Sequence, residues 1–194
     1  MNKGRLEAFS DGVIAILITI LVLELKIPQG ADLEALRPIL PIFVTYVLSF
    51  IYLGIYWNNH HHMLQATEKI NGSILWANLH LLFWLSLVPF VTGWMGENHF
   101  APLPTAVYGI NLLACAIAYT ILQTLIIAEH EANSNLKAAI GNDLKGKISL
   151  GCYVLAIVLA FINQWISDAL YVFVALMWLV PDSRIESKIN QDVI

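Results

Sequence analysis

Charge is scarce in this chain. Its 194 residues include ten Lys and Arg and fourteen Asp and Glu, 12% of the total, where a soluble domain carries about 25%. That scarcity excludes an ordinary water-soluble fold. Cysteine is scarcer still. Cys115 and Cys152 are the two in the chain, and both fall inside apolar runs. They read as small buried hydrophobes, not as a disulfide or a metal pair. No basic tract is present and the net charge is a modest −4, so nucleic acid is not an expected partner. Proline is sparse within the apolar runs, with only Pro89 well inside one. The first apolar run has no small-x-small cleavage site and ends in Glu24, Lys26 and Pro28, so it is not a cleaved signal peptide.

What is present is apolar surface. Hydrophobic residues make up 58% of the chain, the mean hydropathy is +0.70, and the apolar residues come in runs of about 20, the length that crosses a bilayer as helix. The reading is an all-α integral membrane protein, one domain over residues 1–194 with no soluble domain. Six transmembrane helices are expected at 7–27, 39–57, 74–94, 105–128, 148–162 and 169–180. Their connections include "NNHHHMLQATEKINGS", "EHEANSNLKAAIGNDLKGK" and the very short "NQWISD".

Lys and Arg set the orientation. Lys3, Arg5, Lys69, Lys137, Lys145, Lys147, Arg184 and Lys188 fall on one side of such a bundle, and Lys26 and Arg37 on the other. Positive-inside therefore puts both termini in the cytoplasm of a multi-pass cell-membrane protein. Trp57, Trp94, Trp165 and Trp178 sit near run ends, where amphipathic rings favour the interface.

The first run, "RLEAFSDGVIAILITILVLELKIP" at 5–28, opens polar and then turns bare. At about 100° per residue, Ile20, Leu23, Ile27, Gly12 and Thr19 fall within about 60° of Ile16, and Ser10 and Asp11 lie about 120° and 140° away. The aliphatic stripe could pack in a core, face lipid or line a pore. Asp11 is too costly to face lipid and needs protein partners. With both termini inside, the end of the second span and the start of the third reach the same depth. Arg5, Ser10, Asp11, Trp57, Asn58, His60, His61, Asn78 and His80 can therefore cluster, and hydrogen bonding is the condition for keeping such groups there. A metal site does not fit, because three consecutive His on a helix point about 100° apart. An enzyme built on Ser10 and His61 lacks the glycines of a nucleophile elbow. A structural or gating network that locks the first span to the second and third fits best.

"RLEAFSD" at 5–11 has the form Arg-x-x-x-Phe-Ser-Asp at the start of the first of six spans. It resembles the signature of the transmembrane protein 175 family, the endolysosomal potassium channels and their prokaryotic relatives. "YWNNHH" at 56–61 and "NLHLLFWLSLVPF" at 78–90 look like that family's Trp-x-x-His-His and its third span. The resemblance implies a moderately selective potassium channel, not an enzyme. It implies no cofactor, K+ as permeant ion, and a homotetramer of six-span chains in the lipid bilayer. The first helix of each subunit would line the pore, with a constriction at Ile16, Thr19, Ile20 and Leu23. A polar anchor of Arg5, Phe9, Ser10, Asp11, Trp57, His60, His61 and Asn78 would hold that helix. No "TVGYG" carbonyl filter occurs in the sequence, and family members use none. Four aliphatic side chains on an axis would form a hydrophobic constriction that gates by dewetting, with Thr19 hydroxyls replacing part of the lost water. Animal relatives add proton leakage to the expectation. Arg5 falls on the stripe side by the wheel, so it lines the cytoplasmic mouth or joins the network. Glu24 either draws cations to the outer mouth or is a solvated interfacial charge, and His62 and His80 have no assigned role.

The rival readings are a secondary transporter or small-solute permease, which would show repeats or broken helices near the midplane, and a membrane-embedded enzyme using the His cluster. A scaffold without transport is the third.

Overall fold

The computed structural model describes residues 2–65, 67, 69–129 and 143–179. Among these, every regular element is a helix. We number the α-helices α1 (Lys3–Leu21), α2 (Leu40–Gln65), α3 (Gly72–Ser86), α4 (Val88–Glu97), α5 (Pro102–Glu129), α6 (Leu144–Leu159) and α7 (Gln164–Leu179). Two 3-10 turns, Val22–Glu24 and Glu34–Ile39, flank the first connection.

The helix starts follow local chemistry. The Asn2 carboxamide accepts from the Gly4 N–H, Asn71 from Ile74 and Asp143 from Gly146, each filling one of the free donors at a helix N-terminus. Pro41, Pro102 and Pro104 occupy first turns, where a missing N–H costs nothing. Pro89 has the opposite effect. It cannot donate to the carbonyl one turn back, and the third apolar run divides at Leu87 into α3 and α4.

Among the described residues, four segments are long and apolar enough to cross a membrane: Lys3–Glu24, Glu34–Gln65, Gly72–Glu97 and Pro102–Glu129. α6 and α7 have 16 residues each, about 24 Å of helix at 1.5 Å per residue. Three boundaries differ from the sequence reading. α2 runs on to Gln65, so "NNHHHMLQ" is helix instead of loop, because nothing in it breaks the hydrogen-bond ladder. α7 begins at Gln164, so most of "NQWISD" is helical. α1 ends at Leu21, which leaves Leu23 in a 3-10 turn and Ile27 in irregular chain, where 100° per residue no longer applies. Lys137, Arg184 and Lys188, used to orient the bundle, lie outside the described residues, as does Val180.

Two apolar clusters hold the helices. One joins α1, α2, α3 and α5 through Leu6, Ile14, Leu17, Leu53, Leu81 and Leu122. The other joins α2, α4, α5, α6 and α7 around Tyr52, Met95, Tyr108, Tyr153 and Tyr171. Several buried hydroxyls in and beside the second are partnered. Ser49 Oγ shares hydrogen bonds with Thr92 Oγ1 at 2.6 Å and Tyr108 Oη at 3.0 Å. The Tyr52 hydroxyl donates to the Tyr171 carbonyl at 2.6 Å, and the Tyr171 hydroxyl to the Thr105 carbonyl at 3.0 Å. α2 and α4 meet at Gly96, where a Cβ would fall 2.7 Å from the Ile42 Cα. Only a residue without a side chain permits that approach.

Candidate functional site: a polar lock and a bare stripe on α1

α1 has two unlike faces. Leu6, Ser10, Ile14, Leu17 and Leu21 are buried against the neighbouring helices. Ile16, Ile20 and Leu23 are 58%, 37% and 76% exposed, and Gly12 and Thr19 are exposed with them. The stripe therefore does not pack in the core of its own subunit, which removes one of the three readings of it. The Thr19 hydroxyl donates to the Ile16 carbonyl at 2.8 Å. Its oxygen lone pairs are left as acceptors.

The inner face carries a directed chain of hydrogen bonds. Ser10 Oγ donates to the Leu6 carbonyl at 2.9 Å. Asn78 Nδ2, on α3, donates to Ser10 Oγ at 2.9 Å. His60 Nε2, on α2, lies 2.7 Å from Asn78 Oδ1. A carboxamide oxygen only accepts, so His60 carries its proton on Nε2. Its Nδ1 is buried without a hydrogen-bond partner among the described residues. Ser10, His60 and Asn78 are each fully buried. Three helices are thus tied at one depth by groups that could not be left unpaired in an apolar surround.

A second, more exposed layer lies beside it. The Trp57 indole N–H donates to Asp11 Oδ1 at 3.1 Å. Trp57 stacks on His61 with ring centroids 5.9 Å apart, and His61 Nδ1 lies 3.2 Å from Glu7 Oε1. His61 and His62 make an edge contact at 5.7 Å. Lys3 Nζ caps the end of α2 by donating to the Gln65 carbonyl at 2.6 Å.

Glu7 was not singled out from the sequence, although the wheel carries the signal. It falls at about 180°, between Ser10 and Asp11. Arg5 is exposed, and its side chain makes no hydrogen bond or ion pair with the described residues. Phe9 is 52% exposed and lies on the stripe side. His80 is outside the cluster. It accepts from the Trp84 indole N–H at 2.9 Å on the exposed face of α3. No group of three or more His, Cys, Asp or Glu able to hold a metal ion occurs among the described residues.

At the other end of α1, the Glu24 carboxylate packs on Gly93 of α4 so closely that a Cβ there would fall 2.3 Å from Oε2. Lys26 Nζ lies 2.5 Å from Glu97 Oε1. The Glu97 carboxylate holds the Lys26 ammonium above the usual lysine pKa.

Apolar helices of membrane-crossing length, closed around a buried polar lock, define a multi-pass helical membrane protein. The family model described as "Endosomal/lysosomal potassium channel TMEM175" matches residues 5–89, the segment that holds both layers of the lock. The chain is 58% identical over 192 residues to a protein named potassium channel from Chryseobacterium sp. (strain P1-3), covering 99% of this chain and 100% of that one. It is 32% identical to another so named from Streptomyces collinus, over 92% of each chain. The crystal structure of a lysosomal potassium-selective channel TMEM175 homolog from Chamaesiphon minutus superposes with a TM-score of 0.76 at 30% identity, covering 93% of this chain and 97% of that one. The chain belongs to the TMEM175 family. These relatives are channels, not enzymes.

Proposed function

We propose that the chain is one subunit of a potassium-permeable channel in the cell membrane. Copies assemble as a homotetramer, with α1 of each subunit around a central pore. In this reading the chain crosses the bilayer six times, with α3 and α4 together forming one span, and both termini are cytoplasmic. Ile16, Thr19, Ile20 and Leu23 form the constriction, and the lock of Ser10, Asp11, Trp57, His60, His61 and Asn78 sets the radius and tilt of α1.

The carrying observation is the asymmetry of α1. Its Glu7, Ser10 and Asp11 side chains are spent on contacts within the subunit, and its aliphatic stripe is left uncovered over about 10 Å of axis. Four such stripes on one axis make a narrow apolar passage that excludes water unless it widens. Potassium holds its water less tightly than sodium, so partial dehydration there favours potassium. The Thr19 oxygens, free to accept, replace some of the lost ligands. The result is moderate selectivity, weaker than a carbonyl cage provides.

The test is potassium and sodium flux in proteoliposomes holding the purified protein, wild type against Ile16→Asn. Wild type should pass potassium faster than sodium, and the variant should raise total flux and erode the preference. No flux from either protein would overturn the channel reading. Normal selectivity in the variant would move the constriction away from Ile16.

A further inference from the structure

α1 stops short of the last residue of its stripe. The helix ends at Leu21, and Leu23 sits in the 3-10 turn Val22–Glu24, closed by the Leu25 N–H donating to the Val22 carbonyl at 3.1 Å. The chain from 25 to 33 has no regular structure. The helical ladder that fixes Ile16 and Ile20 therefore does not reach Leu23. The polar lock does not reach it either, because Ser10 lies about 20 Å back along the axis at 1.5 Å per residue.

α4 does reach it. Pro89, Gly93 and Glu97 follow one another at intervals of four residues and so share one face of that helix. With Leu17, Ile20 and Glu24 they line the groove between α1 and α4. Glu24 turns into this groove, whereas Leu23 turns out of the subunit and is 76% exposed. At Gly93 a Cβ would fall 3.0 Å from the Glu24 Cδ and 3.4 Å from its Cγ, and closer still to Oε2. The far half of the Glu24 side chain thus fills the space that a side chain at 93 would need. One turn along α4, Glu97 pairs with Lys26 at 2.5 Å. That pair is exposed and adds little stability by itself, but it places a second tie on the same face.

The support is firm. The other side of α4 is held on α2, where Gly96 meets the Ile42 backbone and Thr92 shares a hydrogen bond with Ser49 at 2.6 Å. A residue seated on Gly93 is therefore fixed relative to the body of the subunit.

We propose that Glu24, seated on Gly93, positions the outer end of the constriction. It holds the turn that carries Leu23, and so sets the radius of the outermost aliphatic ring. The inference rests on the channel reading above. It gives Glu24 a role through packing, in place of drawing cations to the outer mouth or standing in solvent.

The experiment is a double-mutant cycle read as the ratio of potassium to sodium flux in proteoliposomes of the full chain. Gly93→Ala should fold, because the atoms it displaces belong to the end of a flexible side chain, and it should lower the ratio by about twofold or more. Glu24→Ala should lower it similarly. In the Glu24→Ala background, Gly93→Ala should add nothing, because the side chain it pushes is gone. Glu24→Gln keeps the length and the seat and should keep the wild-type ratio. An unchanged ratio in Gly93→Ala would overturn the proposal. So would an equal fall from Gly93→Ala in both backgrounds, which would trace the effect to α4 packing alone. A Glu24→Gln ratio as low as that of Glu24→Ala would overturn it too, because charge and not position would then be at work. No flux from wild type would remove the channel reading and this role together, whereas each of the other failures removes the role alone.

Discussion

At the scale of single residues, Asn78 is the most connected group in the lock, and two buried partners depend on it. It accepts from His60 and donates to Ser10. Asn78→Ala leaves His60 Nε2 without an acceptor in an apolar surround, at about 1–3 kcal/mol for the orphaned group. The variant should therefore melt several degrees lower than wild type in detergent. Arg5→Gln should stay within about 0.5 kcal/mol, because Arg5 is exposed and outside the lock. An equal loss from both would mean that the chain of hydrogen bonds carries no special weight. Glu7 and His61 sit at the edge of the same site, partly exposed. Their pairing is worth at most about 1 kcal/mol and acts more on geometry than on stability.

At the scale of elements, close approaches between helices depend on particular glycines. Gly96→Ala places a methyl 2.7 Å from backbone of α2, which cannot give way as the end of a flexible side chain can. A loss of about 1–3 kcal/mol is expected, with α2 pushed off α4. Gly54→Ala, where nothing lies within 4 Å, should be neutral or stabilising by up to about 1 kcal/mol. Thermal melts of the two variants check this, and equal effects would contradict the packing described. The third apolar run illustrates how an element is modified without being lost. Pro89 splits it, yet α3 and α4 still read as one Gly72–Glu97 segment of membrane-crossing length. A divided helix is also what a transporter reading expects, but family membership favours the channel.

At the scale of the whole molecule, the proposed tetramer would cover the stripe of α1 that its own subunit leaves exposed. Chemical crosslinking of the protein in membranes should give a ladder that ends at four. A ladder ending at two would contradict the tetramer and leave the stripe facing lipid.

The chain alone determined its helical, membrane-embedded class, because runs of about 20 apolar residues and so little charge have few other stable solutions. It also determined which face of α1 is polar, since helical periodicity places Ser10 and Asp11 away from Ile16 regardless of context. Much of the lock was legible for the same reason. A serine, an asparagine and a histidine inside apolar runs must find one another. The pairings themselves were not legible. That His60 rather than His61 reaches Asn78, that His61 turns to Glu7, and that His80 faces outward depend on the rotation of α2 and α3. Only packing against α1 and α5 sets that rotation. The extension of α2 through "NNHHHMLQ" and the end of α1 at Leu21 were likewise tertiary outcomes. Polar residues continue a helix when neighbouring helices supply partners, as Asn78 does for His60 and Lys3 for the Gln65 carbonyl.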